Sequence, residues 1–418
     1  MRILLSAFSC APHQGSEPGV GWRWALELAR EHDVVVVTDV TRAPLLEPEL
    51  TLNPVPRLKV VYFRPRWLAR VPLNPRTAQT LYTLWQFALL PLARRLHAMH
   101  RFELAMHVTY GVFRHPSFLG RLGIPFVFGP LGGGEDVPLS LKRSIGGAQK
   151  LREIGRSAIN LAARFDPFLW HALARSTHIL VKTGETAQAL PWPFRRRAQV
   201  YPEIGVDAAP DLVPASRGDG QPLVALYAGR FLGLKGIHLA LRAVAAARAR
   251  GFPVVLQLVG QGPYGPTLKA LADSLSLGPE AVQWPGQVSQ ARLFEMYRTA
   301  HCLLFPSLHD SSGNVVLEAQ AHGCPVVCLD CGGPAVLLGA EAGIAVAIRP
   351  ASEDAVVERL ADALARLAAD EPARLAMAVA AHRHALQWSW RRRVLGCLEM
   401  LGYAAPAARE ADAVPAGR

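Results

Sequence analysis

Residues 302–328 read CLLFPSLHDSSGNVVLEAQAHGCPVVC, and this stretch decides the fold. Cys302–Pro306 is a short apolar run without polar alternation, the pattern of a strand buried on both faces. A polar loop follows, then Asn314–His322 with apolar residues at helical spacing. Gly323 ends the helix, and Pro325–Cys328 is a second apolar run. Strand, loop, helix, turn and strand in so short a span form a unit whose two strands lie parallel.

The same alternation extends in both directions. Further strand candidates are Arg2–Phe8, Asp33–Thr38, Arg57–Phe63, Phe102–Val108, Pro125–Phe128 and His178–Lys182, then Pro222–Tyr227, Val254–Val259 and Ile344–Ala347. Helical patterns such as Trp22–Arg30, Gly236–Arg250 and Thr267–Leu275 lie between them. Strands alternating with helices, with glycine turns after the strands, predict doubly wound α/β units. A Pro/Gly/Asp/Ser-rich stretch, 204–221, divides the chain into two similar halves. We therefore expect one Rossmann-like domain over 1–205 and a second over 206–385. A last helix over 386–403 should pack back on the first domain, and an Ala/Pro-rich tail over 404–418 should be disordered.

Composition narrows the class. The 418 residues are 50% hydrophobic and 19% charged, which excludes a disordered chain. No stretch approaches the roughly 20 apolar residues of a membrane span. The opening MRILLSAF is too short for a secretory leader, and six cysteines without a paired framework fit reduced thiols. Together these predict a cytoplasmic protein. Charge is uneven: residues 1–210 hold 26 Lys and Arg against 15 Asp and Glu, and the remainder 19 against 18. Residues 51–100 carry eight arginines and lysines and no acid, with Trp67, Leu68, Leu81, Trp85 and Phe87 among them. Such a patch would suit an anionic membrane surface, the inner face of the cytoplasmic membrane; solvated arginines around a packed Trp85 are the plainer alternative. Nucleic acid is not expected, because aromatic interleaving and any recognition element are missing.

In a doubly wound sheet chemistry gathers after the carboxyl ends of strands, and the motifs do follow strands. In the opening block Asp310 lies in the loop and Glu318 one turn inside the helix, while Ser312, Gly313 and Asn314 offer amides at the helix start. That is an anion site flanked by two carboxylates able to accept from sugar hydroxyls. After the strand ending at Tyr227, the loop from Gly229 to Gly236 presents Arg230 and Lys235, two cations that can clamp a diphosphate. Val259-Gly260-Gln261-Gly262-Pro263 is another strand-then-glycine turn, and Trp284 is a candidate for packing or for base stacking. In the first half, Gly15-Ser16-Glu17-Pro18-Gly19-Val20-Gly21 opens a helix after the first strand, with Gly19 favoured as the glycine nearest a phosphate. Glu17 could meet an acceptor hydroxyl or cap that helix. His107 ends a strand, with His115 as its rival, and Gly132-Gly133-Gly134 marks either close backbone approach to a ligand or a surface turn. A P-loop, an H-E-x-x-H and a D-x-D are all lacking, and a zinc site from Cys324, Cys328 and Cys331 is not expected.

These motifs resemble those of retaining GT-B glycosyltransferases of family 4, the group 1 glycosyltransferases. The usual block is P-S-x-x-E-G-F-G-x-x-x-L-E-A-x-A-x-G-x-P-V-V; here Glu318, Ala319, Gly323, Pro325, Val326 and Val327 match, Asp310 replaces the first Glu, and Ser311-Ser312-Gly313 replaces G-F-G. Arg230 and Lys235 match the diphosphate-binding G-R-x-x-x-x-K-G. The resemblance implies transfer of a sugar, without a cofactor or metal, from a nucleotide-diphosphate donor (UDP-sugar favoured over GDP-sugar) to a saccharide or lipid-linked acceptor in surface polysaccharide or glycolipid synthesis. It implies that His107, Asp310, Arg230 and Lys235 are catalytic. Gly19, Gly229, Gly262, Ser312, Gly313, Asn314 and Glu318 would hold the donor, with Glu318 on the ribose, and Glu17, Gly133 and Gly134 would lie on the acceptor side. A catalytically inactive sugar-nucleotide-binding subunit is the alternative.

Overall fold

The structure is a computed structural model that describes residues 1–74, 77–209, 212–218, 220–350 and 352–403. The expected tail, 404–418, lies outside the described residues, as does Arg76 of the basic segment.

The apolar runs form two sheets. The first holds β1 (Arg2–Ser6), β2 (Asp33–Asp39), β3 (Leu58–Phe63), β4 (Leu104–His107), β5 (Phe126–Leu131), β6 (His178–Val181) and β7 (Ala198–Val200). Their spatial order is 3-2-1-4-5-6-7, and every pairing is parallel. The second holds β8 (Leu223–Ala228), β9 (Val254–Val259), β10 (Val282–Gly286), β11 (Cys302–Phe305), β12 (Val326–Leu329) and β13 (Gly343–Val346). It runs 10-9-8-11-12-13, again wholly parallel. Val34–Val37 shows why the pattern works: all four valines are buried, because helices cover both faces of the sheet. Strand order reverses between β1 and β4 and again between β8 and β11, and at each reversal the flanking loops splay apart and leave a crevice.

The chain crosses between the sheets twice, and the crossings touch. The Val206 amide donates to the Trp388 carbonyl at 2.8 Å. The last helix, Trp390–Met400, packs on the first helix, Ser16–Ala29. Arg393 is sandwiched between Tyr201 at 3.8 Å and Trp388 at 4.4 Å, and Arg391 pairs with Glu31 at 3.0 Å. All six cysteines are free thiols. Among the described residues no helix is long and apolar enough to cross a membrane.

The basic segment 51–100 turns several of its large apolar residues and one arginine inward. Leu68, Leu81 and Trp85 are buried, and the Trp85 indole donates to the Phe63 carbonyl at 2.7 Å while packing edge-on to Phe8. Arg64 is buried too: it forks onto Asp39 with contacts of 2.8 and 2.6 Å and donates to the Val71 carbonyl. Arg57, Lys59, Arg66, Trp67, Arg70, Arg94 and Arg95 face solvent. Removing one partner of a buried ion pair strands the other charge. Asp39→Ala should therefore cost about 3–5 kcal/mol in urea denaturation, whereas Arg66→Ala should stay within about 0.5 kcal/mol of the parent; equal effects would contradict the burial of the pair.

Candidate functional site

The two reversal points open onto one interdomain cleft. Its central pocket, about 350 Å³, is lined from the first domain by Ser16, Glu17, Val20 and Glu203. The second domain contributes the loop after β8 (Gly229, Arg230, Lys235), the loop after β11 (Asp310, Ser312, Gly313) and the start of the Asn314–Ala321 helix. A neighbouring pocket of about 340 Å³ shares Glu17, Lys235, Asp310 and Ser312 and adds Arg114, Gly133 and Arg156.

Asp310 is the best-held side chain here. Its Oδ2 accepts from Lys235 Nζ at 2.6 Å, and its Oδ1 accepts from the Gly313 amide at 2.9 Å and the Ser312 amide at 3.2 Å. Burial works against the carboxylate, but Lys235 and the two amides outweigh it and hold its pKa below the usual aspartate value. The helix start is therefore not as open as Ser312-Gly313-Asn314 implies, since two of those amides serve Asp310. Gly313 makes this turn in the left-handed region, at φ 70°, and the chain then enters the helix with the Asn314 and Val315 amides unbonded among the described residues. Both residues line the central pocket. Arg230 lines it as well, exposed and without an ion pair or side-chain hydrogen bond among the described residues. One loop thus offers an uncommitted guanidinium, and the facing helix offers two uncommitted amides.

Glu318 lies deeper. Burial pushes its carboxyl up to about 7, partly countered by the Tyr297 hydroxyl beside it. Two carboxylates eight residues apart are thus pushed in opposite directions: Asp310 is held charged near neutral pH, and Glu318 is held toward its neutral form.

A second charge cluster, which no motif announced, closes the cleft floor. Lys182, just past β6, pairs with Glu203 at 2.5 Å and Glu17 at 3.5 Å and donates to Ser312 Oγ of the other domain at 3.1 Å. Burial disfavours its ammonium, yet Glu203 and Glu17 more than offset this and raise its pKa. Glu135 is buried as well. It accepts from Ser311 Oγ at 2.5 Å, from Thr183 and Thr186 at 2.7 Å each, and from the Gly133 amide at 2.9 Å. Burial opposes its charge, but the hydroxyls together win and its pKa falls. Lys182 ends the strand candidate His178–Lys182 and Glu135 directly follows the Gly132-Gly133-Gly134 run, whereas nothing in the sequence singles out Glu203.

Several expected residues sit elsewhere. His107 ends β4 but is 1% exposed, under the cleft rather than on its wall. Its Nε2 meets Tyr82 Oη at 2.6 Å, and burial lowers its pKa to about 3, so it is neutral. The rival His115 is bonded to Thr83 at 2.7 Å and lowered to about 4 by burial. Gly19 lines an adjoining hollow, but its missing side chain is explained by the chain itself: a Cβ there would lie 2.1 Å from the Gln14 carbonyl. Gly262 packs likewise on the Phe231 backbone, and Gly134 packs on Thr186, away from the central pocket. Glu17 lies in the first turn of its helix and accepts from the Tyr110 amide at 2.7 Å while lining both pockets. Trp284 packs edge-on to Phe231. No cluster of metal-ligating side chains is present among the described residues.

This architecture and cleft define a class: two facing Rossmann-like domains, the GT-B fold. Solved structures share it. WaaG, a glycosyltransferase involved in lipopolysaccharide biosynthesis, superposes with a TM-score of 0.58 at 19% identity, over 96% of this chain and all of that one. HepE of Anabaena, solved with UDP and glucose, gives 0.58 at 16% identity, over 97% of this chain and all of its own. Residues 222–370 match the family model of glycosyl transferases group 1, so this part of the chain is similar to that family, as its motifs imply. D-inositol 3-phosphate glycosyltransferase of Rhodococcus jostii (strain RHA1) is 31% identical over 273 residues, 63% of this chain and 56% of that protein. The chain spans about half the length of the curated relatives it matches.

The sign of the Glu318 shift sets a test. Below pH 4.5 folded and unfolded chains both carry the neutral acid; as pH rises toward 7 the unfolded chain ionises it and the folded chain resists. Stability from this group is therefore lost across that window. Against Glu318→Gln, the parent should lose about 3 kcal/mol between pH 4.5 and 8 in urea titrations; parallel curves would mean the carboxyl is not desolvated.

Proposed function

We propose that this protein is a glycosyltransferase that moves a sugar, with retention at the anomeric carbon, from a nucleotide-diphosphate donor to a saccharide or lipid-linked acceptor. The observation that carries the reading is the pairing of an uncommitted Arg230 with the unbonded Asn314 and Val315 amides across one 350 Å³ pocket. A departing diphosphate gains negative charge as the glycosidic bond breaks, and fixed donors aimed at that charge stabilise the transition state more than the ground state.

In this reading Arg230 and Lys235 hold the diphosphate, with the helix amides on its far side. Asp310, ionised and fixed by Lys235, accepts from donor-sugar hydroxyls and faces the positive character developing at the anomeric carbon. Glu318 meets the nucleotide ribose. Glu17 and Gly133 border the acceptor side, where the adjoining 340 Å³ pocket opens. His107, too deep to touch a ligand in this arrangement, positions Tyr82. UDP is the favoured nucleotide, in keeping with its presence in the HepE structure. The chemistry assigned to these residues needs no metal, and activity should survive chelation.

Arg230→Ala should lower turnover by about 10²-fold or more, roughly 3 kcal/mol of transition-state stabilisation, and weaken diphosphate binding. An assay over a panel of nucleotide sugars reads this directly; turnover equal to that of the parent would remove the clamp. Binding of nucleotide diphosphate without turnover of any donor would favour the inactive-subunit alternative. Asp310→Glu adds a methylene to a carboxylate held at three points, so the rate should fall about tenfold or more through misplacement. An Asp310→Asn protein working at the parent rate would show the charge to be dispensable.

A further inference from the structure

The helix Gly147–Ala163 is built inside out. Its inward face is polar: Glu153 pairs with Lys142 at 3.4 Å, Ser157 donates to Asp136 at 2.5 Å, and Asn160 donates to the Gly133 carbonyl at 3.0 Å. Its outward face is apolar. Leu151, Ile154, Ile159, Leu161 and, just beyond the helix, Phe165 all face solvent, from 50% exposed at Ile154 to 79% at Phe165. Spacings of three and four put Leu151, Ile154, Ala158, Leu161 and Phe165 on one stripe. The strip continues over Phe168 and onto Phe87, whose rings lie 5.2 Å apart with both side chains exposed. Water is an unfavourable neighbour for so large a contiguous apolar surface.

Charge narrows what can cover it. From 143 to 168 the acids are Glu153, which is turned inward, and Asp166, which caps the next helix by accepting from the Phe168 amide, while Arg143 and Arg152 are exposed and Lys150 is partly so. At the other end Arg121 and Arg175 are exposed beside His171, which packs against Phe118 of the same aromatic group. A second copy of the chain would bring these cations against their own kind. An anionic bilayer meets both needs, because the apolar side chains enter the headgroup–acyl boundary and the flanking cations meet lipid phosphates.

We infer that the outward face of this helix, continued by Phe165, Phe168 and Phe87, docks on an anionic lipid bilayer. The geometry gives the docking a direction: the polar side of the same helix bonds Gly133 and carries Arg156, both on the wall of the acceptor-side pocket. A lipid-linked acceptor would thus enter beside the surface that carries it. The binding surface itself does not depend on the glycosyl-transfer reading.

The test uses the full chain with vesicles of phosphatidylcholine alone or mixed with phosphatidylglycerol. Cosedimentation should be strong with the anionic vesicles and weaken at high salt. Leu151→Glu combined with Ile154→Glu and Phe165→Glu should reduce vesicle partitioning on the order of tenfold or more. Reversing Arg143 and Arg152 to Glu should abolish the preference for anionic lipid, and Trp67→Glu, on the other basic segment, should change nothing. Circular dichroism melting and UDP affinity, both expected at parental values, separate loss of docking from misfolding or from failure of the donor site. Equal binding to neutral and anionic vesicles, parental partitioning by the triple variant, or a dimer in light scattering that the triple variant dissolves would each overturn the inference.

Discussion

Lys182 is the point on which the cleft depends. An ammonium at 6% side-chain exposure is tolerable only with its charge answered nearby, and the chain answers it from three places: Glu17 in the first helix, Glu203 where the chain leaves the first sheet, and Ser312 in the other domain. Ser312 also donates to Glu203 at 3.0 Å, so the loop that presents Asp310 is tied to the first domain through one buried cation. The neighbouring Glu135 repeats the device with opposite sign, its carboxylate reaching Ser311. The two domains meet here through a seam of polar contacts, in which one Glu203 oxygen is left without a partner among the described residues. Such a seam relies on geometry, since each contact is worth having only while all partners are in place.

The fold was legible because its signals are local. Each buried strand announces itself as an uninterrupted apolar run, and the run ending at Tyr227 or beginning at Cys302 needs no distant partner to be read. The exceptions are instructive. β7 is three residues, Ala198-Gln199-Val200, following three consecutive arginines; an edge strand buries too little to write a pattern. Motif residues were legible where a side chain's chemistry and its spacing agree, as for Arg230, Lys235, Asp310 and Glu318, which all line the central pocket. Glycines were not. Gly19 and Gly262 look like ligand loops in sequence, yet each is small because another stretch of backbone passes over it. Close approach to a ligand and close approach to the chain impose the same residue.

Charged residues were harder still, because their partners lie far along the chain. Lys182 meets Ser312 across 130 positions, and Arg64 meets Asp39 across 25. Composition therefore overstated the surface charge of 51–100 by counting Arg64 as solvated, and it gave no weight to 147–163, whose exposed apolar face follows an ordinary helical period. Periodicity reports that a helix has two faces; it does not say which one the protein turns inward. Only the polar partners Lys142, Asp136 and Gly133 settle that.

The three carboxylates around the cleft show how one pocket can hold acids in different states. Asp310 and Glu135 are as buried as Glu318, but each receives hydrogen bonds from amides, hydroxyls or Lys235 that favour the charged form. Glu318 receives little besides Tyr297, and desolvation dominates. Its neutral fraction makes it able to donate as well as accept, a useful property toward a ribose hydroxyl, which can do either. Charge is thus concentrated where a positive centre would form, and it is withheld one helical turn further in. Adding a carboxylate near Arg230 would blunt that arrangement more than removing one from Glu318, because in the proposed reading the hold on a diphosphate rests chiefly on Arg230 and the Asn314 and Val315 amides, which no protein anion has claimed among the described residues.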